Sequence, residues 1–222
     1  MKVYKNILLC ISACFSGFLP IVFGETMAFD LKPLGKMNRI DIELSTGFES
    51  GRINGSFSQV AGKINFSVRQ PKLANGQVLL DARTLRLGYA KVNRDAHNPA
   101  WLDSSTFPKI SYTLENLDNL KWRGEIMQAN ANGKLTIKGR SMPISVPIYL
   151  RYLRANRREY DGRNGDILYL TGQFPLSRGQ FGINTGTALD SILDLLTVKI
   201  QLVAGSDTVR PFLPCRLFGG RP

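Results

Sequence analysis

The sequence predicts an all-β protein, either an antiparallel sandwich or a barrel. Three observations carry that reading: apolar and polar residues alternate in many short runs, turn residues separate the runs, and helical spacing is scarce. Ile40, Ile42 and Leu44 alternate with Arg39, Asp41 and Glu43, and Ile64, Phe66 and Val68 alternate with Lys63, Asn65 and Ser67. The same period recurs at Ile110, Tyr112 and Leu114; at Ile144, Val146 and Ile148; at Leu168, Leu170 and Phe174; and at Val198, Ile200 and Leu202. Side chains of a strand point to opposite faces in turn, so each run buries one face and wets the other. Gly47 and residues 51–55, 71–76 and 161–165 supply the turn chemistry between runs. Residues 133–139 form a strand bracketed by glycines, with Leu135 and Ile137 inward, and residues 140–143 turn into the next strand.

Two short helices are expected. Residues 98–103 suit one helical turn with Pro99 at its first position. Residues 187–196 have helical spacing and would lead into the last strand, with Asp190 and Asp194 on one solvated face.

The first 23 residues read as a secretory leader: Lys2 and Lys5 give a positive start, and residues 7–23 carry no charge. That apolar run is shorter than the ~20 residues that span a bilayer, and Pro20 interrupts it. Small residues offer cleavage after Gly24 or after Ala28. Residues 1–24 are therefore taken as the leader and 25–222 as one domain, exported to the periplasm. Cys10 and Cys14 leave with the leader, so the mature chain holds Cys215 alone and forms no internal disulfide. A lone thiol leaves monomer and homodimer both open.

The net charge is +12, and removal of Lys2 and Lys5 leaves 27 basic and 17 acidic residues, a net of +10. Such an excess favours anionic partners, and in an exported protein these are membrane surfaces or phosphorylated lipids rather than nucleic acid. The basic stretch 151–163 sets Arg151, Arg154, Arg157, Arg158 and Arg163 among Tyr149, Tyr152 and Tyr160. It reads either as a solvated hairpin loop or as a patch against anionic headgroups.

Catalysis is narrowed by subtraction. His97 is the one histidine of the chain, which removes His-based metal clusters. Nucleophile elbows, phosphate-binding glycine loops and dinucleotide fingerprints are absent from the sequence. Nothing in the chain demands an enzyme.

Three segments remain. The first is a polar loop, residues 93–97 with Arg94, Asp95 and His97, running through Trp101 and Asp103 into Phe107-Pro108-Lys109-Ile110-Ser111-Tyr112. Phe107 precedes a proline and is pushed toward extended backbone, which starts the strand at Lys109. The others are Gly133-Lys134-Leu135-Thr136-Ile137-Lys138-Gly139 and Arg178-Gly179-Gln180-Phe181-Gly182-Ile183.

In this order the segments resemble the YceI-like family, periplasmic lipocalin-like proteins that hold long isoprenoid lipids. The resemblance implies an extended eight-stranded antiparallel barrel with one or two short helices and a lipid chain in its tunnel. It implies a binder of a polyprenyl phosphate or an isoprenoid quinone, with no other cofactor and no catalysis. Alternation then nominates Ile64, Phe66, Ile110, Tyr112, Leu135, Ile137, Phe174, Phe181 and Ile183 as tunnel lining or closed core, with Trp101 and Phe107 at the rim. Arg94, Asp95 and His97 either brace the loop, with Asp95 capping the turn and Arg94 paired to a carboxylate, or surround the polar end of the lipid. Arg178 begins a late strand in the family pattern and is either exposed or turned into the tunnel end. A filled barrel that docks through its basic loop on anionic lipid or a protein partner is the rival function. A third reading presents a quinone to a membrane cytochrome.

Overall fold

The computed structural model describes residues 26–47, 51–183 and 192–211. Eleven strands form one antiparallel sheet: β1 (Met27–Asp30), β2 (Arg39–Thr46), β3 (Arg52–Phe57), β4 (Val60–Phe66), β5 (Asn75–Asp81), β6 (Arg86–Leu87), β7 (Lys109–Arg123), β8 (Ile126–Ile137), β9 (Arg140–Leu153), β10 (Ile167–Ser177) and β11 (Ile192–Gly205). The ring runs β1-β4-β5-β7-β8-β9-β10-β11 and shuts where Asp30 meets Gly205, giving the eight-stranded barrel the family resemblance implies. Closure pairs most of the strand edges within the barrel itself.

The three remaining strands belong to the same wall. β2 lies on β11 beside the position β1 takes further along, and a 3-10 turn at Lys32–Met37 separates β1 from β2. β3 pairs with β2, and β4 with β1, so β3 and β4 are one strand course bent at Ser58 and Gln59. β5 and β6 follow suit, broken by a 3-10 turn whose Asp81 carboxylate accepts from the Arg83 amide. Alternation marked β2 and β4 in the sequence, whereas the short β3 and β6 carried no such run. Residues 51–55, expected as a turn, run into β3 instead: Gly55 stands inside the strand between Ile42 and Leu87, and a side chain there would strike Leu87.

Inside the barrel the inward row of β8 is the clearest case of cause. Met127, Ala129, Ala131, Leu135 and Ile137 are buried on one face, while Gln128, Asn130, Asn132, Lys134 and Thr136 face out. On that outer face Asn132 donates to Asn116 and Asp118 and accepts from Ser145. β9 repeats the pattern with Val146, Ile148 and Leu150 buried.

Four local expectations are corrected. The polar loop at 93–97 is the end of a helix, α1 (Ala90–Ala96), and residues 98–103 are hydrogen-bonded turns in which the Trp101 and Asp103 amides donate to the Asn98 carbonyl. α1 lacks a side-chain N-cap, Tyr89 standing at that position, so no start signal marks it in sequence. Residues 192–196 belong to β11, paired with β2 and β10, so the expected helix does not reach them and Asp194 lies on a strand. The other part of that helix, 187–191 with Asp190, lies outside the described residues, as do the leader and Cys215. Residues 178–183 form a 3-10 turn at Gly179–Phe181 rather than a late strand, and Gly182 closes it with a left-handed φ of 64°.

Candidate functional site

The barrel encloses a cavity of about 170 Å³ whose walls come from nearly every strand course. Its lining is aliphatic and aromatic, including Ile64, Phe66, Ile110, Tyr112, Leu135, Ile137, Phe174, Phe181 and Ile183. Ala131 sits on the inward row of β8 and lines the space, and Gly133 lets β8 approach β7 closely, since a Cβ there would lie 2.0 Å from the Thr113 carbonyl oxygen. An apolar void of this order stays dry and accepts apolar guests.

Polar groups in the wall are few. The Tyr112 hydroxyl donates to the Ala131 carbonyl at 2.8 Å, and burial pushes its pKa up, so it stays a neutral, occupied donor. Gln77 is exposed at the margin. Trp101 and Arg178 are the other two, exposed by 4 % and 5 %. Arg178 turns inward, and the exposed alternative is corrected: Nε, Nη1 and Nη2 donate to the carbonyls of Leu193, Ile183 and Ile192. Its guanidinium lies 5.2 Å from the centre of the Trp101 ring. The 3-10 turn wraps the chain around this arginine, which is why the segment is not extended.

The loop that carries Trp101 covers this end of the barrel. Leu102 lines the cavity from it and Leu85 from the turn before β6, and Ala96 of the same loop is fully buried. His97 is the brace: one ring nitrogen lies 3.0 Å from the Leu85 carbonyl and the other 3.0 Å from Ser104 Oγ. The carbonyl requires a donor, so Nε2 carries the hydrogen and Nδ1 accepts from the serine. Lys138 pins the loop to the barrel by donating to Pro99 O at 2.7 Å. Arg94 is exposed, and neither it, Asp95 nor His97 lines the cavity. Nor does Asp95 cap the turn, since its buried Oδ2 meets no partner among the described residues, and Arg94 forms no ion pair there. Phe107 is corrected too: its ring packs over Gly139, outside the cavity.

The basic stretch divides. Arg151, Arg154, Arg158 and Arg163 are exposed at the end of the barrel opposite Trp101. Arg157 is not part of any surface. It is fully buried, donating to Asp161, Asp207 and the Ser206 carbonyl. Nearby, buried Asp166 accepts from Tyr152 and from the amides of Ala155 and Arg210, tying the chain's last described residues to the barrel. Spacing among tyrosines gave no sign that one arginine of five would fold inward.

One seam interrupts the wall. β9 and β10 pair only between Ile148–Leu153 and Ile167–Gly172. Beyond that, Pro143 and Pro147 remove two backbone donors from β9, and Pro175 removes one from β10. The half-buried cavity residues Ile144 and Phe174 flank the seam.

A closed antiparallel barrel with a dry apolar interior defines a class of protein that encloses one small ligand. The YceI-like domain model matches residues 36–204, and the chain belongs to that family. Among solved structures it is similar to Burkholderia cenocepacia BcnA, with 21% identity and a TM-score of 0.58 over 74% of this chain and 96% of that one. The Campylobacter jejuni YCEI protein is similar at 15% identity and a TM-score of 0.57, covering 68% of this chain and 83% of its own. A structure described as a polyisoprenoid binding domain from Saccharophagus degradans shares 12% identity and a TM-score of 0.60, covering 82% and 99%. No curated protein matches the chain.

Proposed function

We propose that this protein holds a long isoprenoid, a polyprenyl phosphate or an isoprenoid quinone, inside the barrel for transport or storage in the periplasm. The observation that carries the reading is the apolar lining of the cavity. Support comes from the family and from the polyisoprenoid binding described for the Saccharophagus degradans domain. Burial away from water contributes ~0.8 kcal/mol per methylene, so a chain of several isoprene units is retained without a covalent step. Against a membrane the same transfer is nearly neutral, because lipid tails are as apolar as the wall, and exchange with a bilayer stays reversible. The protein acts as a binder rather than an enzyme, and the lipid is its one small-molecule partner.

The leader belongs to the same proposal, cut after Gly24. Met27 and Ala28 pair with Phe66 and Asn65, and Met27 is buried, so a cut after Ala28 would remove half of β1. An anionic membrane surface is the proposed docking partner, favoured by the exposed Arg151, Arg154, Arg158 and Arg163. A filled barrel that only docks through those arginines is the second reading, and a membrane cytochrome that receives a bound quinone is a further partner to test.

Native mass spectrometry of the mature protein from its own envelope, followed by organic extraction, decides between them. A stoichiometric isoprenoid adduct is the expected result. Bare protein that also takes up no quinone or polyprenyl lipid on titration overturns the carrier reading in favour of the docking module. The same spectra give the oligomeric state, monomer or homodimer.

A further inference from the structure

We infer that the tip of the β7–β8 hairpin is a membrane anchor: Trp122 and Ile126 enter the headgroup–acyl boundary of an anionic phospholipid bilayer, and Lys121, Arg123 and Arg151 hold its phosphates. The anchor rests on the membrane docking proposed above, to which the arginines of residues 151–163 contribute charge alone, and adds an inserted apolar part. It holds whatever the barrel contains.

Two large apolar side chains are left in water at one turn. Trp122 is 48 % exposed and Ile126 45 % exposed, on either side of Gly124 and Glu125. They belong to opposite faces: Ile126 pairs with Arg123 on the outer face, and Trp122 with Met127 on the inner one. A hairpin lying on a barrel has one face covered, and here both carry an exposed apolar group. Single exposed apolar residues are ordinary on a soluble surface, but this pair has company. Tyr149, 52 % exposed, lies on the outer face two residues from Arg151, the β9 partner of Ile126. On the other side β5 leaves β7 at Leu114, and β7 runs on to Arg123 with β8 as its partner strand. The charge around the turn is basic. Glu125 answers Arg151 at 2.6 Å, whereas Lys121 and Arg123 form no ion pair among the described residues. Asp118, the next carboxylate along β7, accepts from Asn132.

A bilayer interface takes this combination. Trp and Tyr concentrate at headgroup level, where the ring is apolar and its polar tip stays wet. Lysine and arginine stems lie along the acyl chains while their charged ends reach the phosphates. Two apolar side chains and a tyrosine are too small a patch for a stable protein interface, which buries ~800 Å² on each partner, and a bilayer demands no matching shape. The anchor also sets which way the barrel faces. Trp122, Met127 and Leu150 stand on one rung across β7, β8 and β9, and Leu150 lines the cavity. An inserted Trp122 therefore brings that end of the cavity to the bilayer, and under the carrier reading the lipid exchanges there.

The test uses full-length mature protein with vesicles of phosphatidylcholine, alone or mixed with phosphatidylglycerol. Flotation measures binding, and tryptophan emission is read in the same samples with a nitroxide-labelled lipid. Wild type is expected to float with the anionic vesicles, its emission shifted to the blue and quenched by a nitroxide at the top of the acyl chain. Trp101 is buried, so Trp122→Ser should abolish the quenching, and it should cut binding about tenfold. Ile126→Ser should cut binding about fivefold, and it decides alone if the tryptophan variant melts early. Lys121→Gln combined with Arg123→Gln should lower binding to anionic vesicles at least about tenfold. Flotation unchanged in Trp122→Ser and Ile126→Ser, without quenching in wild type, overturns the anchor and leaves docking by the arginine loop standing. Equal flotation with neutral and anionic vesicles overturns the role given to the cations. No flotation of wild type overturns the anchor and the docking together. The carrier reading fails separately: a protein that floats yet yields and takes up no isoprenoid keeps the anchor and loses the cargo.

Discussion

Arg157 and Asp161, one helical turn apart in α2 (Arg158–Asp161) and the residue before it, form a forked ion pair: Nη2 donates to Oδ2 at 2.9 Å and Nε to both carboxylate oxygens. The arginine is fully buried, and it also bridges to Ser206 and Asp207 near the end of β11. A residue expected to face anionic lipid instead clamps the β9–β10 connection to the last strand.

Replacing Arg157 should therefore cost stability and not membrane affinity. Breaking a buried pair by removing one partner typically costs ~3–5 kcal/mol, and Arg157→Met is expected near the lower figure because Asp207 is largely exposed. Arg158→Ala, on the exposed face, should stay within about 0.5 kcal/mol. Urea unfolding of both variants checks the contrast, and equal losses would count against the clamp.

Acid should loosen the same clamp. The Arg157 guanidinium beside Asp161 holds its carboxyl below the usual carboxylate range. A group with a depressed folded pKa contributes stability that is full above its unfolded pKa of ~3.9. That share is lost as pH falls through the lower folded value. Wild-type stability should thus decline below about pH 4 more steeply than that of Asp161→Asn, which starts less stable. Parallel curves for the two proteins would show that Asp161 does not carry the acid response.

Filling the cavity should abolish uptake without unfolding the barrel. Ala131→Trp points new bulk into the empty space from the inner row of β8. It should cost less than the ~1–3 kcal/mol of overpacking a filled core, while lipid uptake falls at least about tenfold, roughly 1.4 kcal/mol or more of binding free energy. Thermal melts and lipid titration of the variant give the two numbers, and a variant that binds as well as wild type would move the ligand elsewhere.

His97 should behave as a brace. His97→Gln disturbs the hydrogen bonds to Leu85 and Ser104 and is expected to cost about 1–2 kcal/mol. Its effect on binding should be equal for every lipid probe, since it touches no ligand. A selective loss for the phosphate would place His97 at the headgroup after all.

The leader proposal has a direct check. N-terminal sequencing of mature protein is expected to start at Glu25, preserving β1. A start at Phe29 would mean that the barrel closes without Met27 and Ala28.

Much of the inner wall was legible, because a buried strand face writes itself as alternation. Ile110, Tyr112, Leu135 and Ile137 all line the cavity as their spacing indicates. The covering loop was not legible: α1 has no capping residue, and Phe107 stands two residues from a strand yet packs on Gly139. Arg157 and Arg178 were unreadable for a further reason. An arginine enters a core only where distant carbonyls or carboxylates converge on its fork, and Ser206, Asp207 and Leu193 lie far along the chain.

What the amino-acid sequence determined by itself is the class of the fold and the apolar character of its inner face, both local consequences of a two-residue period. Tertiary structure decided that the face encloses a space, and that Arg157 and Arg178 fold into the body of the molecule. Cavities and converging polar groups depend on how far strands curve and which residues small side chains leave unfilled, and no run of neighbouring residues encodes either.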